Sequence, residues 1–194
     1  MHGVIVMIPV SEVIAEIREA ENDIDEVKYS DYDLLSAINK TIRLMSNQLA
    51  LMNSPFTEGS VDYPASDVLV GADLPDDYMT LRKVVSSETG YNMSPTNNTI
   101  VATKSYSGRY FISNNKLYAG TGVQLLYRRK LPKVDIADSI DVPDFLLDFI
   151  TSISRLILTN AAKDVLTEQI ANLAKLIIPQ RKYGNVKLGM QFRV

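Results

Sequence analysis

Cysteine is absent from all 194 residues of the chain, and histidine occurs once, at His2. Without cysteine the protein has no disulfide bond, no thiolate metal site and no cysteine nucleophile, which fits a reducing compartment. His2 lies in the terminal region, where order is least expected, so a histidine base or a histidine-containing metal cluster is not expected. We therefore expect no catalytic residue and no metal site that depends on histidine or cysteine.

Long hydrophobic runs are also missing. No stretch approaches the roughly 18 consecutive apolar residues that predict a transmembrane helix. The apolar run at Val4–Ile8 is short and has no preceding basic residue, so we expect neither a signal peptide nor a membrane partner. With 46% hydrophobic residues the chain can bury one core, or one core with a smaller satellite subdomain, and we expect one globular unit.

The segment Ser30–Met52 has the longest clear helical periodicity. Its apolar residues recur at steps of three and four, which places them on one stripe of an α-helix. Ser30 is a natural N-cap, and Asp33 can return the hydrogen bond as the acid of a capping box. The helix should end before Pro55. The stripe comprises Leu34, Leu35, Ile38, Ile42, Met45, Leu49 and Met52.

The same periodicity predicts three further helices. Ser11 is the expected N-cap of the first helix, which should pack antiparallel to the second. Pro143 is the expected first residue of the third helix, which should be the main partner of Ser30–Met52 because neither can bury its stripe alone. Pro179 should end the fourth, and the last two could be one bent helix. The predicted bounds are Ser11–Asn22, Ser30–Met52, Pro143–Asn160 and about Val165–Ile178.

Between the second and third helices, glycine, proline and short Val/Tyr/Thr-rich runs predict a β region. Asn114 and Asn115 tolerate the positive φ of a tight turn, so Arg109–Tyr127 should form a meander. Gly90–Asn98 is the most loop-like segment and is expected to be disordered or ordered only against a partner. The predicted strands are Ser60–Tyr63, Val68–Val70, Thr80–Ser86, Thr99–Thr103, Arg109–Ile112, Lys116–Ala119 and Val123–Tyr127.

Charge is unevenly distributed, although the formal net charge is only −3. Residues 12–33 hold nine acids against two bases, whereas residues 89–134 hold seven bases and no acid. Solvated surface is the ordinary interpretation of such blocks. The alternative is that the acidic block of one copy contacts bases of the next copy. The inter-subunit residues would then be Glu12, Glu16, Glu19 and Glu21.

Nucleic-acid binding is the alternative function for the basic β region. Its bases interleave with aromatic residues, a mixture with which a sheet can hold phosphates and stack bases. A pI of about 5.2 argues against phosphate attraction. A third class, a hydrolase with a carboxylate pair assembled from distant positions, has no motif in its favour. The nucleic-acid candidates are Lys104, Arg109, Arg128, Arg129, Lys130 and Lys133, with Tyr106, Tyr110, Phe111, Tyr118 and Tyr127.

Two short motifs could carry chemistry but are better explained as turns. Asp73, Asp76 and Asp77 could converge on a hard cation, yet their spacing matches no calcium or magnesium loop. We expect these aspartates to cap local backbone amides before a strand. Gly120 and Gly122 lack the following helix and the lysine–serine pair of a phosphate loop, so a turn is predicted there.

Two phrases in this order of elements resemble a known class of protein. The first is DLPDDYMTLRKV at Asp73–Val84, which opens the β region. The second is VPDFLLDFI at Val142–Ile150, through which the chain returns to helix. With the acidic first helix and the long second helix, they resemble the head-to-tail adaptor (connector) proteins of tailed bacteriophages, including the tail tubular protein A type of short-tailed phages. The resemblance covers about Ser11–Phe192.

The resemblance implies a structural protein of the virion neck, made in the host cytoplasm and without catalytic activity. Such a protein forms a homo-oligomeric ring, twelvefold in the family, on the portal protein and faces the tail or nozzle proteins. The ring extends the DNA channel, through which genomic DNA passes without sequence-specific binding. The implied fold class is α+β, with a helical bundle that bears a β subdomain.

The C-terminal residues 180–194 are predicted to form an extended arm. Apolar residues at 186, 188, 190 and 192 alternate with polar ones, which suits strand addition to another chain or docking in a groove. A frayed end, or a strand of the chain's own β subdomain, is the alternative. Because the family anchors to the portal through C-terminal extensions, the implied portal-binding residues are Arg181, Lys182, Tyr183, Phe192 and Arg193.

These patterns give the predicted domain organisation. Residues 1–53 and 140–179 form the helical bundle domain, residues 54–139 form an inserted antiparallel β subdomain, and residues 180–194 form the C-terminal arm. The helices of the bundle must pair across the insertion, because each carries a single apolar stripe.

Overall fold

The computed structural model of the chain describes residues 7–105 and 107–181, and its fold class is α+β. The chain divides into two compact units where composition predicts one. The helical unit runs to Ser54 and resumes at Lys133, and the β unit is the continuous segment Pro55–Pro132. The chain returns to the helical unit at Lys133, earlier than the predicted residue 140, because Val134 is already hydrogen-bonded to Asn39 of that unit.

The elements have the following bounds. The helical unit contains β1 (Ile8–Pro9), α1 (Val10–Ala20), α2 (Asp31–Leu51), β9 (Ser139–Ile140), α5 (Leu147–Leu158) and α6 (Lys163–Arg181). The β unit contains β2 (Glu58–Tyr63), α3 (Ala65–Val70), β3 (Ala72–Asp73), β4 (Tyr78–Ser86), β5 (Ser94–Pro95), α4 (Thr99–Ala102), β6 (Arg109–Ser113), β7 (Lys116–Ala119) and β8 (Val123–Arg129). Short 3₁₀ turns lie at Pro55–Thr57 and Asp144–Leu146.

Helix α2 is the centre of the helical unit, and its predicted capping box is confirmed. Ser30 Oγ accepts a hydrogen bond from Asp33 N at 3.2 Å, and Asp33 Oδ2 accepts one from Ser30 N at 3.2 Å. The helix packs mainly on α5, as predicted. Within this contact the Thr41 and Ser154 hydroxyls share a buried hydrogen bond of 2.9 Å. The buried positions of α2 are Leu34, Ala37, Ile38, Thr41, Ile42, Met45, Ser46 and Leu49.

Helix α1 begins one residue before the predicted cap. Ser11 lies inside the helix, and Pro9, in extended conformation, is the N-cap without a side-chain hydrogen bond. The backbone supplies the missing partner, because Val10 N donates to Asp138 O at 3.0 Å beside the β1–β9 pair. The main partner of α1 is α5, not α2, so the two consecutive helices do not form the expected close antiparallel pair.

The C-terminal helices are separate, and neither predicted proline signal is correct. Pro143 precedes a 3₁₀ turn, whereas α5 starts only at Leu147. Asn160, with a φ of 50°, interrupts the helical backbone geometry between α5 and α6. Helix α6 continues through Pro179 to Arg181, beyond the predicted end at Ile178.

The β unit has two antiparallel-rich sheets, with strand orders β2-β8-β4 and β3-β7-β6-β5. The hairpin β6–β7 turns at Asn114 and Asn115, whose φ values of 50° and 60° confirm the predicted tight turn. The predicted meander ends there, because β8 leaves this sheet and pairs with β2 and β4. The core of the unit is formed by Val68, Ala72, Leu74, Val84, Met93, Tyr110, Leu117, Ala119, Val123, Leu125 and Tyr127.

Two predicted strands are short helices. Val68–Val70 belongs to α3, where only Val68 is buried, so the alternation that a strand needs is absent. Thr99–Thr103 corresponds to α4, which Asn98 caps by accepting hydrogen bonds from Ile100 N at 2.9 Å and Val101 N at 3.4 Å. Asn98 is an N-cap signal that favours helix over strand at this point.

The segment 90–98 is held by the chain itself, contrary to the expectation of disorder or partner-dependent order. Asn92 bridges to Val85 of β4, and Ser94–Pro95 forms the edge strand β5 beside β6. Ser86 N also donates to Tyr91 O at 2.9 Å. The proline in β5 lies at a sheet edge, where strands tolerate it.

Among the described residues, no helix combines the length and apolarity that a membrane span requires.

Gly120→Ala should destabilise the β unit. A Cβ at Gly120 would lie 2.2 Å from the Lys104 carbonyl oxygen, a backbone atom that cannot rotate away. We expect a loss of about 1–3 kcal/mol in the free energy of unfolding, the usual cost of overpacking. The matched control is Gly122→Ala, because a Cβ at Gly122 would lie 3.4 Å from its nearest neighbour, Tyr63 O. Urea unfolding of both variants checks this, and equal stability of the two would contradict the steric argument.

Candidate functional site

The acidic block is organised around the buried Arg18 in the last turns of α1. Its Nη1 donates to Asp23 Oδ2 at 3.1 Å and to Tyr29 O at 3.2 Å, and its Nη2 donates to Asp31 Oδ1 at 2.6 Å. One guanidinium therefore joins the end of α1, the connecting loop and the start of α2. Such a planar group with five donors suits several oxygen acceptors at once.

Asp23 fixes the connecting loop from inside. Its carboxylate accepts the backbone N–H groups of Lys28, at 2.6 Å, and Tyr29, at 3.0 Å, in addition to the Arg18 guanidinium. Burial alone would raise the pKa of Asp23, but these donors outweigh it and hold the pKa below its ordinary value. The loop 21–30 is therefore held by charge and hydrogen bonds.

The four predicted inter-subunit acids divide into two pairs. Glu21 accepts Lys28 Nζ at 2.8 Å and Arg155 Nε at 2.9 Å, and Glu16 accepts the Thr151 hydroxyl at 2.9 Å. The hydrogen bond from Lys28 lowers the pKa of Glu21, and Arg155 adds to this effect although burial opposes it. Glu12 and Glu19 lie exposed on α1. The chain thus uses two of the acids internally and leaves two at its surface.

Three large apolar side chains near this network face solvent. Ile24 is 75% exposed, Val27 is 87% exposed, and Tyr32 in the first turn of α2 is 79% exposed. We call these three residues the apolar loop surface. Exposed acids flank it at Asp25, Glu26, Asp31 and Asp33. Ile24 and Val27 are the only aliphatic residues of the polar stretch 22–29, and nothing in the local sequence indicates that they lie outside.

The predicted nucleic-acid surface is only partly available. Arg128 is buried and forms an ion pair of 3.3 Å with Glu58. Lys116 Nζ lies 3.0 Å from Asp73 Oδ1 and donates to Gly71 O at 3.2 Å. The bases that stay exposed are Lys104, Arg109, Lys130 and Lys133.

The aromatic residues of the same region serve the fold. Tyr110 and Tyr127 are buried in the core of the β unit, and Phe111 packs on Tyr118 with ring centroids 6.0 Å apart. Burial of Tyr127, with its 2.9 Å hydrogen bond to Asp77 Oδ1, raises the pKa of its hydroxyl to about 12. Buried rings offer no face on which a base can stack. Tyr106 lies outside the described residues.

The aspartates before β4 do not cap local amides as expected. Asp77 accepts the Tyr127 hydroxyl, and Asp73 pairs with Lys116. Their partners come from β8 and β7, which sequence proximity did not indicate. No group of three or more metal-ligating side chains occurs among the residues that the structure describes.

A small cavity in the β unit has a volume of about 120 Å³ and is lined by Ser86, Glu88, Thr89, Tyr91, Asn92, Met93, Gly108 and Thr121. This volume lies well below the ~300–1,000 Å³ of ordinary ligand pockets. Its lining carries one carboxylate, that of Glu88.

The structure describes little of the predicted portal-binding arm. Arg181 is the last residue of α6, so the arm cannot start as early as residue 180. Lys182, Tyr183, Phe192 and Arg193 lie outside the described residues.

Acid should weaken the wild-type protein partly through Asp23. Its folded-state pKa is below 3.8, so its stabilising effect is complete above that value and is lost as pH falls through the folded pKa. We expect Asp23→Asn to be less stable at neutral pH and to lose less stability between neutral pH and acid than the wild type. Asp25→Asn, at an exposed acid of the same loop, is the control. Unfolding free energies across pH check this, and parallel curves for Asp23→Asn and the wild type would contradict it.

Alkali should weaken the β unit through Tyr127. The unfolded chain loses this proton near pH 10, whereas the folded chain keeps it until about 12. The contribution of the protonated Tyr127 hydroxyl to the free energy of unfolding is therefore complete below pH 10 and is lost as pH rises towards 12. Tyr127→Phe should show a shallower fall of stability in this interval, while Tyr91→Phe, at an exposed ring, should match the wild type. Chemical unfolding at several alkaline pH values provides the measurement.

Comparison of the chain with models of known protein families and with curated protein sequences finds no match. Residue roles therefore come from the chain's own sequence and geometry.

Proposed function

We propose that the protein is a head-to-tail adaptor of a tailed bacteriophage, a structural protein that docks as a ring on the portal and extends the DNA channel. The observation that carries the proposal is the order of elements. A helical unit built from both ends of the chain bears a β unit inserted between α2 and α5. This is the arrangement that the resemblance implies.

The two phrases that carry the resemblance both lead into regular elements, but the first does not open the β unit as expected, because β2 and α3 precede it. Asp73–Val84 leads from β3 into the long strand β4, and Val142–Ile150 leads through a 3₁₀ turn into α5. Both segments contribute to cores: Leu74 and Val84 are buried in the β unit, and Val142, Leu146 and Ile150 are buried in the helical unit. The phrases therefore serve the fold, and they support the proposal through the architecture they build.

The surfaces also favour a structural role over nucleic-acid recognition. Arg128, Tyr110 and Tyr127, three of the residues that would hold phosphates and bases, are buried. The remaining exposed bases suit contact with acidic protein surface or weak, sequence-independent contact with DNA in a channel. In a ring the exposed Glu12 and Glu19 would face bases of the neighbouring copy, a heterologous contact that can close.

The proposal is tested by electron microscopy of the purified protein mixed with the portal protein encoded by the same phage genome. We expect a ring of the protein, twelvefold if it follows the family, stacked on the portal. A tight DNA complex without portal binding, lost steeply as salt increases, would instead favour the nucleic-acid function.

Removal of residues 182–194 should abolish portal binding and leave folding intact. The deletion keeps every described residue of α6, so the thermal midpoint should stay near that of the full chain. The full-length chain with Arg181, Lys182 and Arg193 replaced by glutamine should also bind the portal more weakly, because it keeps the length and removes the basic charge assigned to this contact. Full portal binding by the deleted chain would refute the anchoring arm, and a failure to fold would show that these residues complete the chain's own structure.

Reversing Glu12 and Glu19 to lysine should impair ring assembly without unfolding the protein, because both are exposed. The control reverses Asp62 and Glu88, two exposed acids of the β unit. Glu16 and Glu21 are unsuited to this test, since their reversal breaks contacts with Thr151 and Arg155. Assembly on the portal is scored by sedimentation, and undiminished assembly of the Glu12/Glu19 variant would contradict the electrostatic contact.

A further inference from the structure

The α1–α2 connection buries charged side chains and exposes apolar ones, the reverse of the usual distribution. Charged side chains, Arg18 and Asp23, are buried, while Ile24 and Val27 are 75% and 87% exposed. Burial of an Arg–Asp pair costs desolvation, and exposure of large aliphatic side chains forgoes the gain of burying them. A loop that only joins two helices would be more stable with the opposite arrangement.

This connecting loop is held in one shape. The Arg18 guanidinium binds it at Asp23, Tyr29 and Asp31, and Asn22 and Glu26 adopt φ values of 52° and 58° that complete its turns. Its apolar side chains are therefore presented by a preorganised backbone. Preorganisation reduces the entropy lost on binding, which makes such a surface suited to a partner.

The β unit exposes an apolar side chain in a stretch of the chain that carries bases and no acid. Ile100 in α4 is 72% exposed, and Lys104 and Arg109 are exposed close to it in the chain. Two hydrogen bonds order the neighbouring described residues: Ser107 Oγ donates to Ala102 O at 3.2 Å and accepts from Arg109 N at 3.2 Å. We call Ile100, Lys104 and Arg109 the basic edge. No acid occurs anywhere in residues 89–134.

We propose that the apolar loop surface of one copy docks on the basic edge of the next copy. Ile24, Val27 and Tyr32 would cover Ile100, while the acids Asp25, Glu26 and Asp31 would face Lys104 and Arg109. The two surfaces differ, so the contact is heterologous and propagates around a ring when the rotation per copy closes. Opposite charges select this pairing over loop-to-loop or edge-to-edge contact. The inference rests on the proposed ring function and assigns its subunit contact.

The absence of cysteine makes a clean cross-linking test possible, because every thiol is then an introduced one. Val27→Cys and Ile100→Cys proteins, one carrying a mass tag, are mixed with and without portal and treated with a short bismaleimide. We expect the Val27→Cys protein to link to the Ile100→Cys protein. The matched control is Val70→Cys, which lies on α3 and is 78% exposed, close to the exposure of Ile100. A further partner, Met190→Cys, reports on the C-terminal segment.

The outcomes separate this contact from the proposed function. Rings on the portal that contain Val27–Ile100 cross-links support both the subunit contact and the adaptor function. The same cross-links in concentrated protein that forms no ring on the portal support the contact and overturn the adaptor function. Rings in which Val27→Cys links equally to Val70→Cys, or not at all, overturn the contact alone. Preferred linkage to Met190→Cys, or between two Val27→Cys copies, overturns it in favour of the C-terminal segment or of a symmetric dimer. Absence of both rings and cross-links overturns both proposals.

Tyr32→Ala gives a second test, which distinguishes a residue of the subunit contact from a residue that only stabilises the fold. Tyr32 is 79% exposed, so removal of its aromatic side chain should leave the thermal midpoint unchanged. Loss of an aromatic anchor at a contact should lower the rate of Val27–Ile100 cross-linking by at least about tenfold. Tyr91→Ala, which removes a 77% exposed ring from another loop, is the control. A cross-linking rate for Tyr32→Ala equal to that of this control would overturn the proposal.

Discussion

The buried ion pair between Arg18 and Asp23 sets the geometry of the N-terminal half of the helical unit. Arg18 belongs to α1. Its three oxygen partners are Asp23 and the Tyr29 carbonyl in the loop, and Asp31 in the first turn of α2. Two helices that make little direct contact are thereby held at a defined separation, while each packs on α5. A buried guanidinium with fewer acceptors would be costly, so the three oxygen partners are required together. The connection is consequently specified by charge and hydrogen bonds.

The sequence predicted most reliably what is decided within one turn of helix or one hairpin. Ser30 and Asp33 are three residues apart, so their capping box could be recognised without knowing the fold. Asn114 and Asn115 likewise determine their own turn. Strand β7 was predicted with its observed bounds, because it alternates locally and follows directly from that turn.

The sequence failed where a distant residue decides the structure. Val10 begins α1 because the Asp138 carbonyl receives its N–H, and no local pattern indicates that partner. Strand β8 follows β7 in the chain, yet its partners are β2 and β4, which lie far from it in sequence. The surface was predicted least well for the same reason. Glu21 belongs to a uniform acidic run by sequence, but Arg155, more than a hundred residues away, draws it into the fold.

The discontinuity of the helical unit has a consequence for synthesis on the ribosome. The apolar stripe of α2 is covered mainly by α5, which is translated only after the whole of Pro55–Pro132. At roughly 5–20 residues per second, the nascent α1–α2 segment waits several seconds for its partner. The β unit is continuous and can close its own core during that interval. We therefore expect the inserted unit to become protease-resistant in nascent chains that still leave α2 cleavable, an order of folding opposite to the order of the sequence.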